Sequence, residues 1–176
     1  MRRVFKWKAP PKCWLKINFN GAFNGGTGKA AVGVVVRDET GVCLGAVGKA
    51  FSYIHSAEHA ELTACREAVD NVITHLLHPV IFETDCLILK QQLCQERGQN
   101  LSALGRLYDD VSADLENLPN SWFVYARRPR EANKAAHLLA GDASANDQSF
   151  FWPTVPFFKQ DVIVWKLYFC IPLFII

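Results

Sequence analysis

Three strand-forming runs follow one another between Trp14 and Phe51, joined by turns short enough to leave each run beside the one before it. From Trp14 to Asn20 the residues alternate. Leu15, Ile17 and Phe19 point to one face, and Trp14, Lys16, Asn18 and Asn20 to the other, the period of a two-faced strand. Glycines at 21, 25, 26 and 28 predict a turn from Gly21 to Gly28. Ala30 to Val36 is an apolar, β-branched run, Asp38 to Gly41 supplies a hairpin turn, and Val42 to Phe51 returns as a third strand. The outcome is an antiparallel meander. A helix from about Ser56 to Leu77 comes next, with Ser56 as N-cap and Glu58 in the first turn. Its apolar face comprises Ala57, Ala60, Ala64, Cys65, Ala68, Val69, Val72, Ile73 and Leu76. Val80 to Thr84 is a fourth strand. A helical crossover between the third and fourth strands lets the first and fourth lie side by side and parallel. Helical segments over Cys86 to Gln95 and Leu101 to Leu118, a fifth strand over Trp122 to Ala126 and a last helix over about Glu131 to Ala143 complete an α/β pattern.

Charge divides the chain in a way its net +2 conceals. Arg2, Arg3, Lys6, Lys8, Lys12 and Lys16 stand in the first sixteen residues without an acid, leaving 13 basic against 17 acidic residues, a net −4, for the rest. The basic character belongs to an arm over residues 1–13, which is either a phosphate-contacting limb or a solvated leader. With half its residues hydrophobic, the chain is globular. One domain is expected over 14–143, followed by an aromatic and apolar tail over 144–176. The stretch Val162 to Ile176 is interrupted by Lys166 and Pro172 and falls short of the roughly 20 apolar residues a bilayer span needs. A strand, a docking segment or a partial membrane anchor all remain open for it. Six cysteines without C-x-x-C spacing suggest neither a zinc site nor a secreted disulfide framework. Cys43 and Cys65 are expected as small buried hydrophobes in an intracellular protein of nucleus or cytoplasm.

Glu61 breaks the pattern. It falls among the alanines of the helical face that should be buried, where an ionised carboxylate is costly unless it meets a cation or a metal. A place at a frayed edge, or a salt bridge to the fifth strand, is the plainer explanation. Asn20 ends the first strand and Asp85 the fourth, and parallel neighbours deliver both to one sheet edge, where open sheets place ligands. For Asp85 alone a helix N-cap is the simpler role. His55 and His59 are spaced i, i+4 with no third ligand in view, so a surface or capping role is expected. The tryptophans are expected in packing more than in base stacking.

Several short motifs in one order carry a resemblance that no single one of them would. Lys16-Ile17-Asn18-Phe19-Asn20-Gly21-Ala22, Gly33 to Asp38 with Gly41, Ala60-Glu61-Leu62-Thr63-Ala64, Glu83-Thr84-Asp85 and Arg130 to Ala140 resemble, in order, the segments of ribonuclease H-like domains of plant and retroelement-derived proteins. The resemblance covers roughly Trp7 to Ala143. It implies a five-stranded mixed sheet, three strands antiparallel and then two parallel, flanked by helices. It also implies a nucleic-acid partner, an RNA–DNA hybrid, with no small-molecule cofactor. The catalytic positions it implies are Asn20, Glu61, Asp85 and His137. Asn20, Glu61 and Asp85 would ligate Mg²⁺ or Mn²⁺, while Arg127, Arg128, Arg130, Asn133 and Lys134 would contact nucleic acid. Two hard cations roughly 4 Å apart need several anionic oxygens. Asn20 stands where the family has the aspartate that would bridge both ions, and His137 where it often has another acid. Weak metal binding and reduced hydrolysis follow, with a non-catalytic nucleic-acid-binding module or a degenerate retroelement remnant as alternatives.

Overall fold

The computed structural model describes residues 7–94, 100–126, 133–147 and 149–153. Strands β1 (Leu15–Asn24), β2 (Lys29–Arg37) and β3 (Cys43–Phe51) form the meander. Helix α1 (Ala57–His75) crosses over to β4 (Val80–Thr84), which lies parallel to β1. Two shorter helices, α2 (Leu87–Leu93) and α3 (Gly105–Asn117), lead to β5 (Ser121–Tyr125), parallel to β4. Helix α4 (Lys134–Asn146) follows, and a short β6 (Phe150–Pro153) pairs antiparallel with β3. The sheet order is β5-β4-β1-β2-β3-β6. Three antiparallel and two parallel strands thus form the expected mixed sheet, with β6 added at the β3 edge.

Helices α1 to α3 cover one face of this sheet. Ile17, Phe19, Val32, Val34 and Phe82 pack there against Leu62, Cys65, Val69, Val72, Tyr108 and Val111. On the other face α4 places Ala135, Ala136 and Leu139 against Val35 and Ala46. Both helices ride directly on strand backbone, and glycine makes that possible. A Cβ at Gly21 would run into the backbone of Ala60 and Glu61, and one at Gly33 into the backbone of Ala136 and Ala140. The Ser56 hydroxyl accepts from the His59 N–H at 3.0 Å and caps α1 as expected. Cys43 and Cys65 are buried.

Four local expectations change. The glycine-rich stretch does not turn at Gly21, because β1 keeps pairing with β2 through Asn24 and reverses only over the following residues. Gly21 serves helix approach instead. Within α1, Ile73 and Leu76 are exposed and Ala57 lies outside the core, whereas Leu62 is fully buried. The folded unit continues past residue 143. Helix α4 ends only at Asn146, with Asp147 left-handed at its C-cap. The first residues of the expected tail then enter the sheet as β6, where the Phe150 ring occupies the space left by the missing side chain of Gly48. Residues 154–176 lie outside the described residues, and with them the apolar segment Val162 to Ile176.

Candidate functional site

Strands β1 and β4 are in register from Leu15 with Val80 to Asn18 with Glu83. Two residues further along each chain stand Asn20 and Asp85. Helix α1 meets this end of the sheet at Gly21, whose N–H donates to Glu61 Oε2 at 3.2 Å. The third side of the site is the start of α4. There Asn133 donates through Nδ2 to Phe19 O at 2.8 Å and to Asp85 Oδ1 at 2.9 Å. The backbone on both sides of Asn20 is therefore tied to the site, through Phe19 to Asn133 and through Gly21 to Glu61. Asn20 itself is buried.

The electrostatics reflect this crowding. Burial drives the Glu61 carboxyl up to about 8, the Gly21 N–H opposes the shift, and the neighbouring charge of Asp85 adds to it. Burial raises the Cys65 thiol well above its usual range, and the neighbouring charges of Glu61 and Cys86 add to the shift. Burial likewise raises the Cys86 thiol, and the charges of Glu61 and Asp85 add to the effect.

Below the site, the polar side chains of β1 are buried and not solvated. Lys16 Nζ meets Glu83 Oε2 at 2.9 Å, and Asn18 Nδ2 donates to Glu83 Oε1 at 2.9 Å. The Trp7 indole closes this ladder by donating to Asn18 Oδ1 at 2.9 Å, while Lys16 Nζ also donates to Lys8 O at 2.7 Å. The Arg37 guanidinium lies 5.1 Å from the Trp7 ring centroid. Strict alternation assigned Lys16 and Asn18 to one face of the strand without showing what covers it. The available signal was pairing, since Glu83 sits two residues before Asp85 on the strand parallel to β1.

Among the expected site residues, Asn20, Glu61 and Asp85 converge. His137 and Lys134 are exposed on the first turn of α4, and the His137 N–H bonds to Asn133 O at 3.0 Å. Asn133, expected at a nucleic-acid surface, is only 3% exposed and spends its amide on Asp85 and Phe19. Arg127, Arg128 and Arg130 lie outside the described residues. The donor set does not fit two divalent cations. It offers two acids, Glu61 and Asp85, and the neutral side chain of Asn20 in place of a third anion. Among the described residues, no three His, Cys, Asp or Glu side chains are grouped so as to hold a metal ion.

No curated protein matches the chain. Among solved structures it is similar to RNase H1 from the halophilic archaeon Halobacterium salinarum NRC-1, at 22% identity and a TM-score of 0.67 over 77% of this chain and 99% of that one. It is also similar to the N-terminal RNase H domain of a Mycobacterium tuberculosis protein, at 20% identity and a TM-score of 0.62 over 76% and 94%. LC11-RNase H1, solved in complex with an RNA/DNA hybrid, matches at 22% identity and a TM-score of 0.64 over 76% and 98%. These likenesses establish the fold. The reverse transcriptase-like family model matches residues 18–143, a span that runs from within β1 through most of α4 and holds Asn20, Glu61 and Asp85. The chain belongs to the reverse transcriptase-like family and carries its ribonuclease H-like domain.

Proposed function

We propose that this domain binds nucleic acid as a ribonuclease H-type module, with an RNA–DNA hybrid as its substrate class, and that its phosphodiester hydrolysis is strongly reduced. The observation that carries the reading is a neutral side chain, Asn20, within β1, flanked by backbone tied to Glu61 through Gly21 and to Asp85 through Phe19 and Asn133. The likeness to a hybrid-bound ribonuclease H supports the choice of ligand. An A-form-like duplex is read through its backbone and 2′-hydroxyls, so binding is insensitive to sequence. Exposed Lys134, the basic arm and Arg127, Arg128 and Arg130 supply positive charge for phosphates. With a neutral side chain at Asn20 where the family pattern has an aspartate, any divalent ion is held weakly.

The test pairs binding with cleavage of a labelled hybrid. Affinity is expected to fall steeply with salt, log K declining linearly with log salt concentration, and a flat dependence would refute the binding claim. Native chain is expected to cleave slowly or not at all in Mg²⁺ and Mn²⁺, with Asn20→Asp accelerating cleavage by at least about tenfold, equivalent to ~1.4 kcal/mol of barrier. Robust native cleavage that Asp85→Ala abolishes would overturn the claim of reduced hydrolysis.

A further inference from the structure

We infer that Asn133 is a positioning residue, an amide clamp that sets the place of the Asp85 carboxylate and locks the start of α4 onto the candidate site. Asn133 occupies the N-cap position of α4 and is a favoured N-cap type, yet its side chain makes no capping hydrogen bond. It is directed inward. Asn18 and Glu83 are the last residues paired between β1 and β4. One residue further on, Phe19 O accepts from Asn133 Nδ2 at 2.8 Å, and the same nitrogen donates to Asp85 Oδ1 at 2.9 Å. One NH₂ group thus closes the gap where the two parallel strands part.

The choice of residue follows from this arrangement. Both neighbours are acceptors, so the site needs two donors on one uncharged atom at short reach, which the asparagine amide supplies. A flipped amide would turn its oxygen toward a carbonyl and a carboxylate, and the surroundings therefore determine its orientation. The cost is visible at the other end of the amide. Asn133 Oδ1 is buried without a hydrogen-bond partner, a state that natural interiors rarely leave in place. A side chain that sacrifices its acceptor to keep both donors in use serves the position of Asp85 more than the packing of α4. Through the Asn133 carbonyl, which accepts from the His137 N–H at 3.0 Å, the clamp also sets the first turn of α4, where Lys134 and His137 are exposed.

Two measurements test the clamp, and the kinetic one rests on the hydrolytic reading above. In the Asn20→Asp chain, Asn133→Ala is expected to lower kcat for a labelled hybrid by about tenfold or more, the effect of losing a hydrogen bond to a charged group, while KM changes less than about twofold. A lowered melting temperature with kcat unchanged would reduce Asn133 to a packing residue and overturn the inference. The second measurement uses the native chain and needs no cleavage. In ¹⁵N-labelled protein the two Asn133 side-chain amide protons are expected to exchange slowly with solvent, and both resonances should move on Asp85→Ala. Fast exchange, or resonances indifferent to Asp85→Ala, would refute the clamp even if the hydrolytic reading stands. Absence of cleavage by the Asn20→Asp chain combined with the expected amide behaviour would sink the hydrolytic reading and leave the clamp intact.

Discussion

Lys16 and Glu83 face each other across β1 and β4 at 2.9 Å, with side chains only 7% and 12% exposed. Removing one partner of such a buried pair leaves an uncompensated charge. Lys16→Met is expected to destabilise the fold by about 3 kcal/mol in urea denaturation. The double replacement Lys16→Met with Glu83→Leu should recover most of that loss, because no buried charge is then left alone. Equal stability of the single and double variants would contradict this account of the pair.

Glu61 makes stability depend on pH in the direction opposite to that of an ordinary paired carboxylate. Its carboxyl titrates near 8 when folded against 4.5 for the free group. Below 4.5 both states hold the proton and the residue costs nothing through ionisation. Between 4.5 and 8 the unfolded chain has released its proton while the folded chain retains it, so stability falls as pH rises, by up to ~1.4 kcal/mol per unit. Glu61→Gln should flatten the dependence of unfolding free energy between pH 5 and 8 and be the more stable form at pH 8. A native chain that gains stability over this window would refute the assignment.

Glycine substitutions separate helix approach from helix propensity. Gly21→Ala forces a methyl group into the backbone of Ala60 and Glu61 and is expected to cost about 3 kcal/mol or more, the upper end of overpacking effects. Gly141→Ala places its methyl group in open space on α4 and should stabilise by about 0.5–1 kcal/mol through helix propensity. Thermal melts of the two variants check both signs.

Gly48→Val fills the space that receives the Phe150 ring. The variant is expected to release β6 from β3 while leaving the remaining strands paired. Hydrogen exchange should then show lost protection in Phe150 to Trp152 and in the facing residues Gly45 to Gly48, with β1 and β4 unchanged. Protection retained at β6 would show that the ring does not hold this strand.

The elements most legible in the sequence were those where local pattern and tertiary role coincide. Val80 to Thr84 is bounded by Pro79 and by a strand-end aspartate, and β4 occupies those same five residues. The Ser56 cap and the parallel placement of β1 beside β4 follow from similarly local signals. Illegible features were those where a residue serves a distant partner. Gly21 reads as a turn because its partner, the backbone of α1, is forty positions away in sequence. The burial of Lys16 and Asn18 was not legible because alternation reports the two faces of a strand but not what covers them. Asn133 reads as a surface contact because nothing local shows that its donors reach Phe19 and Asp85.

The contact at Gly21 has one more consequence. Main chain resting on main chain sets the spacing between α1 and β1 at Gly21, with the Glu61 carboxyl accepting from the Gly21 N–H beside it. The side chain at position 20 can therefore trade an anion for an amide without moving the strand that carries it. Asn20→Asp therefore changes the charge beside Glu61 and Asp85 while the Gly21 contact keeps the architecture constant.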